Sequence, residues 1–154
     1  MPTIMADHDI EGQMQILLRL LTSAEWRALW TELAVHVESF ASLGLPIDTP
    51  DPELWRLCQT HQIVLLTSNR NREGPESLEA VIQAANTPVS LPVLTIGEPQ
   101  RIFSSSTYAH RVVERLMEYL VDLENLRGAG RLYLQELTGM DRYHVESLLL
   151  GVFV

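Results

Sequence analysis

Apolar positions along the chain follow two rhythms, short continuous or alternating runs and longer stretches at helical spacing, and the two take turns. Thr3 to Ala6 is a short apolar run that ends in Asp7, His8 and Asp9, which predicts a first strand bringing two carboxylates to its carboxyl end. Glu11 to Leu21 is apolar on most sides and predicts a central helix. Thr22 and Glu25 stand at capping-box spacing, and Trp26, Leu29, Trp30 and Leu33 recur at helical intervals, so a second helix is predicted from Ser23 to Leu33. From Ala34 to Phe40, Val35, Val37 and Ser39 alternate with His36, Glu38 and Phe40, the pattern of a second strand. LGLPIDTPDP reads as a loop, and Asp51 followed by Pro52 predicts the start of a helix running to about His61.

Ile63 to Leu66 is continuously apolar, as strands covered by helices on both faces are, and it runs into the polar end Thr67-Ser68-Asn69-Arg70-Asn71. Glu76 to Ala85 predicts a helix and Leu91 to Ile96 a fourth strand. Thr107 to Leu126 carries Val112, Val113, Leu116, Met117, Leu120 and Val121 on one face, a long packed helix stopped by Gly128. Arg131 to Leu134 is a fifth strand candidate. Strands alternating with helices predict an α/β fold with a mostly parallel central sheet of four to five strands between helical layers. One domain then spans residues 1–134, followed by a tail, 135–154. The tail ends in LLLGVFV, with too many large apolar residues to leave in water, so it is expected to pack on its own domain or on a second copy as a homodimer.

Composition narrows the function. An apolar content of 46% in 154 residues suffices for one full core. The net charge of −9 provides no surface-wide basic field, so any nucleic-acid binding must rely on a local patch or a metal ion. The single cysteine, Cys58, lies in a helical pattern, reads as core and rules out an internal disulfide framework, which fits a reducing, cytoplasmic compartment. Asp7, His8, Asp9 and Glu11 interrupt the amino-terminal stretch too early for a signal peptide, and the longest apolar run is too short to span a bilayer, so no membrane association is expected. The histidines have no metal-ligand spacing, which argues against zinc.

Ligand sites in open parallel sheets lie beyond the carboxyl ends of the strands. Three polar clusters fall at that edge: Asp7-His8-Asp9, then Asp51 with Glu53, then Thr67 to Asn71. Each residue also has a plain structural role open to it. Asp51 suits a helix N-cap, and Asp7 and Asp9 suit caps for the helix near Glu11. Asn69 and Asn71 suit a turn that needs a left-handed backbone. Arg70 and Arg72 are either a solvated pair or a phosphate contact.

The order ADHDIEG, LAVHVESF and DPELWRLCQTHQIVLLTSNRN resembles the small bacterial branch of the PIN-like superfamily. That family has a first strand ending in Asp, a helix opening Asp-x-x-Ile/Leu, and a strand ending Thr-x-Asp-x-Asp. The resemblance covers residues 3 to 75 in motif and 76 to 134 in element order. It implies a three-layer fold similar to metal-dependent ribonucleases, many of them toxins of toxin–antitoxin pairs. It also implies an acidic cluster holding Mg²⁺ or Mn²⁺, which activates water against an RNA phosphodiester. By the same resemblance, Asp7 and Asp51 match the metal-holding aspartates, with Asp9 as helper, and Thr67 matches the strand-end threonine. Asn69 and Asn71 stand where the family has aspartates, and Arg70 adds a positive charge that opposes a metal. An amide oxygen can coordinate Mg²⁺ but supplies no net charge; Asp9, Glu53 and Glu73 are the nearby sources of more. Two expectations follow. One is a ribonuclease in which Asn69 and Asn71 orient water or phosphate, with RNA and an antitoxin-like protein as partners. The other is a PIN-like domain that has lost catalysis and serves binding or regulation.

Overall fold

A computed structural model describes residues 1–135. Its five strands are β1 (Thr3–Ala6), β2 (His36–Glu38), β3 (Ile63–Thr67), β4 (Val93–Thr95) and β5 (Arg131–Tyr133). They form one all-parallel sheet in the order β2-β1-β3-β4-β5. The connecting helices are α1 (Glu11–Leu21), α2 (Arg27–Leu33), α3 (Phe40–Leu43), α4 (Asp51–Thr60), α5 (Leu78–Ala85), α6 (Gln100–Ser104) and α7 (Ser106–Val121). Short 3-10 turns at His8–Ile10 and Leu123–Leu126 precede α1 and follow α7.

Strand alternation sorts the sheet residues between two helical layers. Ile4, Ala6, Val64, Leu66, Leu94 and Leu132 share a core with Met14, Leu17 and Leu21 of α1, Ile102 of α6 and the buried stripe of α7. Met5, Ile63 and Leu65 face the other way, onto Phe40 of α3 and Leu54 and Cys58 of α4. Val93 on that side meets Trp55 of α4 and Leu78, Val81 and Ile82 of α5. Because β3 has helices on both faces, all five of its residues are buried, which is why its sequence lacks alternation. The expected three-layer α/β/α architecture with a parallel sheet is therefore observed.

Local chemistry moves several boundaries. The Thr22 hydroxyl donates to the Leu18 carbonyl at 2.8 Å, so Thr22 closes α1 instead of capping the next helix, and α2 starts at Arg27. β2 stops at Glu38 because Ser39 and Ser42 form a reciprocal capping box that starts α3 with Phe40 buried. Pro50, not Asp51, is the N-cap of α4, and Asp51 is its first residue, which frees the Asp51 carboxylate for other contacts. Ser77 caps α5 through the Ala80 N–H. The long predicted helix is α7 followed by a 3-10 turn, and α6 ahead of it was not anticipated. Gly128 has φ +89°, and a Cβ there would lie 3.2 Å from the Pro88 backbone, so this chain reversal needs glycine. No helix among the described residues is long and apolar enough to cross a membrane. The tail's expected packing falls outside the described residues.

Candidate functional site

β1 and β3 are neighbours, so their carboxyl ends deliver Asp7 and Thr67 side by side. The Asp7 N–H extends the ladder to the Leu66 carbonyl at 2.7 Å. One Asp7 oxygen, Oδ1, accepts from the His8 N–H at 2.8 Å and so caps the 3-10 turn, while Oδ2 accepts from the Thr67 hydroxyl at 2.8 Å. Thr67 is fully buried, and its hydroxyl oxygen also accepts from the Asn69 N–H at 3.0 Å. Asn69 in turn donates from Nδ2 to Asp51 Oδ2 at 2.9 Å. Asp7, Thr67, Asn69 and Asp51 thus form one hydrogen-bonded chain across the sheet edge.

The orientation of the Asn69 amide follows from its other partner. Asn69 Oδ1 accepts from the Asn71 N–H at 2.9 Å. A backbone N–H can only donate, so the oxygen must face Asn71 and the NH₂ must face the Asp51 carboxylate. Asn71 repeats the device one step on, its Oδ1 accepting from the Glu73 N–H at 3.0 Å. Asn71 is exposed and does not touch either carboxylate. Neither asparagine adopts the expected left-handed backbone; among the described non-glycine residues only Ala34 and Gln62 have positive φ. The two side chains stabilise the loop as successive Asx turns, which need no positive φ.

Asp9 is exposed and acts on Asp7 through its charge. Arg70 is exposed too, and its charge is felt at the Tyr108 hydroxyl. Burial raises the Asp7 carboxyl above its ordinary range; the hydrogen bonds from Thr67 and His8 oppose this, and the charges of Asp9 and Asp51 add to it. Beneath the cluster, burial and the Asp7 charge push the Cys58 thiol up to about 12, so it stays a neutral core residue.

Sequence reading missed Arg131. Its side chain is 9% exposed and reaches from β5 across β4, donating from Nη1 to the Asn69 carbonyl at 2.8 Å and to Thr95 Oγ1 at 2.7 Å. Nε donates to Glu79 Oε2 on α5 at 3.1 Å. Only the sheet order brings Glu79, Thr95, Asn69 and Arg131 together, so no local motif marks them.

These donors do not fit a divalent ion unaided. The Asn69 amide presents its NH₂, not its oxygen, to Asp51, and among the described residues no three His, Cys, Asp or Glu side chains are grouped to hold an ion. No protein-family model, curated protein or solved structure matches the chain.

The raised Asp7 carboxyl gives a testable sign. Its folded-state pKa lies above the unfolded one, so its favourable contribution is complete at low pH and is lost as pH rises through the folded value. Asp7→Asn, which keeps one acceptor for the two donors His8 N–H and Thr67 O–H, is therefore expected to compare better with the unaltered protein at pH 7 than at pH 4. Melts at both pH values check this, and a variant that gains on the unaltered protein on acidification would refute it.

Proposed function

We propose that this chain is a PIN-like, nuclease-related domain whose acidic cluster is closed by its own side chains, so that ribonuclease activity is weak or lost and the domain serves as a binding or regulatory module. The motif order supports the family reading, and the parallel sheet with helices on both faces is compatible with it. One observation carries the loss of activity: the Asn69 NH₂ takes the Asp51 oxygen that a cation would need, and the Asn71 N–H occupies the amide oxygen. Water activation at a bound ion requires ligands of the opposite character. The same reading carries RNA and an antitoxin-like protein as partners, a homodimer as the assembly, and the cytoplasm as the compartment.

The test is incubation of the full chain with a generic single-stranded RNA, with and without Mg²⁺ or Mn²⁺. Cleavage at or near the metal-free background is the expected result. Rapid metal-dependent cleavage would overturn the closed-site reading and establish a ribonuclease that holds its ion through Asp7 and Asp51 despite the amides.

A further inference from the structure

Asn69 is held at four points. Its N–H goes to Thr67, its side-chain oxygen receives the Asn71 N–H, its NH₂ goes to Asp51, and its carbonyl receives Arg131. Three of these bonds lie within the loop or the acidic cluster; the fourth comes from the far side of the sheet. The carbonyl direction sets the peptide plane leaving Asn69, and with it the position from which Asn71 returns to the side-chain oxygen. A group that fixes this carbonyl therefore fixes the amide as well.

Arg131 is built for that task. Its Cα is in register with Val93, so the side chain runs along the α5 face of the sheet toward the carboxyl edge, past Thr95. One edge of the guanidinium meets Glu79: Nε donates to Oε2, and Nη2 lies 2.9 Å from the same oxygen without hydrogen-bond alignment. The opposite nitrogen, Nη1, is thereby turned to Thr95 and the Asn69 carbonyl. A lysine has one nitrogen and no fork, so it cannot face Glu79 on one side and the carbonyl on the other in the same fixed plane. Burial raises the Glu79 carboxyl, but the hydrogen bonds from Gln83 and Arg131, with the charges of Arg131 and Arg72, outweigh it and hold the group below its ordinary range, so the anchor is ionised at neutral pH.

We infer that Arg131, oriented by Glu79, is a positioning residue that sets the Asn69 amide against Asp51 and so keeps the acidic cluster closed. This inference rests on the closed-site reading proposed above and adds that closure is controlled from β5 and α5.

Side-chain amide exchange measured by NMR separates the two. The Asn69 NH₂ signals are identified by their loss in Asn69→Ala, and those of exposed Asn71 serve as the reference. In the unaltered protein the Asn69 NH₂ is expected to exchange at least about tenfold more slowly than that of Asn71. Glu79→Gln and Arg131→Lys are each expected to bring it to the Asn71 rate, while backbone amides of β1 and β3 keep their protection. Arg131→Lys covers the case in which Glu79→Gln does not fold, because it retains the charge next to Glu79. Equal rates for the two asparagines in the unaltered protein would overturn the closed-site reading itself. Slow Asn69 exchange that persists in both folded variants would overturn the role of Arg131 and leave that reading intact.

Discussion

At pH 7 without added metal, Asn69→Asp is expected to melt roughly 10 °C below the unaltered protein, a loss of about 3 kcal/mol. The substitution keeps the shape and still offers an oxygen to the Asn71 N–H, but it turns the donor 2.9 Å from Asp51 Oδ2 into a second carboxylate oxygen. Two carboxylates at that distance do not both ionise readily, so one should retain a proton well above the ordinary range, and lowering the pH from 7 to 5 should recover part of the stability. Mn²⁺ should recover more, because an ion that binds only the folded chain stabilises it by mass action, and the variant presents opposed carboxylates where the unaltered protein has an internal hydrogen bond. Asn71→Asp is the control: its side chain is exposed and bonds only within the loop, so a change within about 0.5 kcal/mol is expected. Melts of the three proteins with and without Mn²⁺ decide the matter. If Asn69→Asp matches the unaltered protein at pH 7 without metal, the Asn69 to Asp51 bond is not what closes the cluster.

Thr67→Val should be of similar size, again about 3 kcal/mol, for a different reason. Valine fills the same buried space at the end of β3, so no cavity opens. The hydroxyl, however, serves two partners, donating to Asp7 Oδ2 and accepting from the Asn69 N–H, and valine leaves both without a bond. The Asp7 carboxyl, already raised by burial, loses the hydrogen bond that most opposes the shift, so it should rise further. The cost of Thr67→Val should therefore be larger at pH 7 than at pH 4, where a protonated Asp7 needs the donor less. Thr67→Ser, which keeps the hydroxyl and loses a methyl, should recover most of the difference. Denaturant melts of the two variants test this; equal losses would show that packing of the methyl, not the hydroxyl, is what matters at this position.

The fold was readable where burial leaves a mark on composition. IVLL could be read as a strand covered on both faces because an all-parallel sheet buries both faces of its central strands, and the stripe on α7 announced its packed side apart from Val121, which lies at the helix end and is exposed. Boundaries failed where a polar side chain chooses between two backbone partners. Thr22 could open one helix or close another, and the sequence does not say which carbonyl lies within reach. Ser39 continued an alternating pattern numerically, yet the Ser42 hydroxyl three residues on made it a cap. Asp51 ahead of proline matched an N-cap, but the chain enters α4 one residue earlier and turns the carboxylate to Asn69. The site divides in the same way. Asp7, Thr67 and Asn69 could be picked out because strand ends in parallel sheets collect polar groups, and Asp51 because it opens a helix ahead of proline. The spacing of Asn69, Asn71 and Glu73 carried the Asx-turn signal, since each amide oxygen reaches the N–H two residues on. Arg131 and Glu79 gave no signal, because their meeting depends on sheet order and not on any local pattern.

The all-parallel sheet also constrains how the chain reaches its folded state. No two described strands are joined by a hairpin, and the β1–β3 pair sets Thr3 in register with Ile63, so that contact requires closing a long loop that contains α1 to α4 and all of β2. Non-local pairing of this kind folds more slowly than local helix docking in a chain of the same length. Until β1 and β4 arrive, Ile63 to Leu66 exposes two apolar faces and two unpaired backbone edges, the combination most prone to capture by another unfolded chain. Synthesis leaves that interval open longest on one side, because β4 and the α7 stripe that covers Val64 and Leu66 lie downstream of β3.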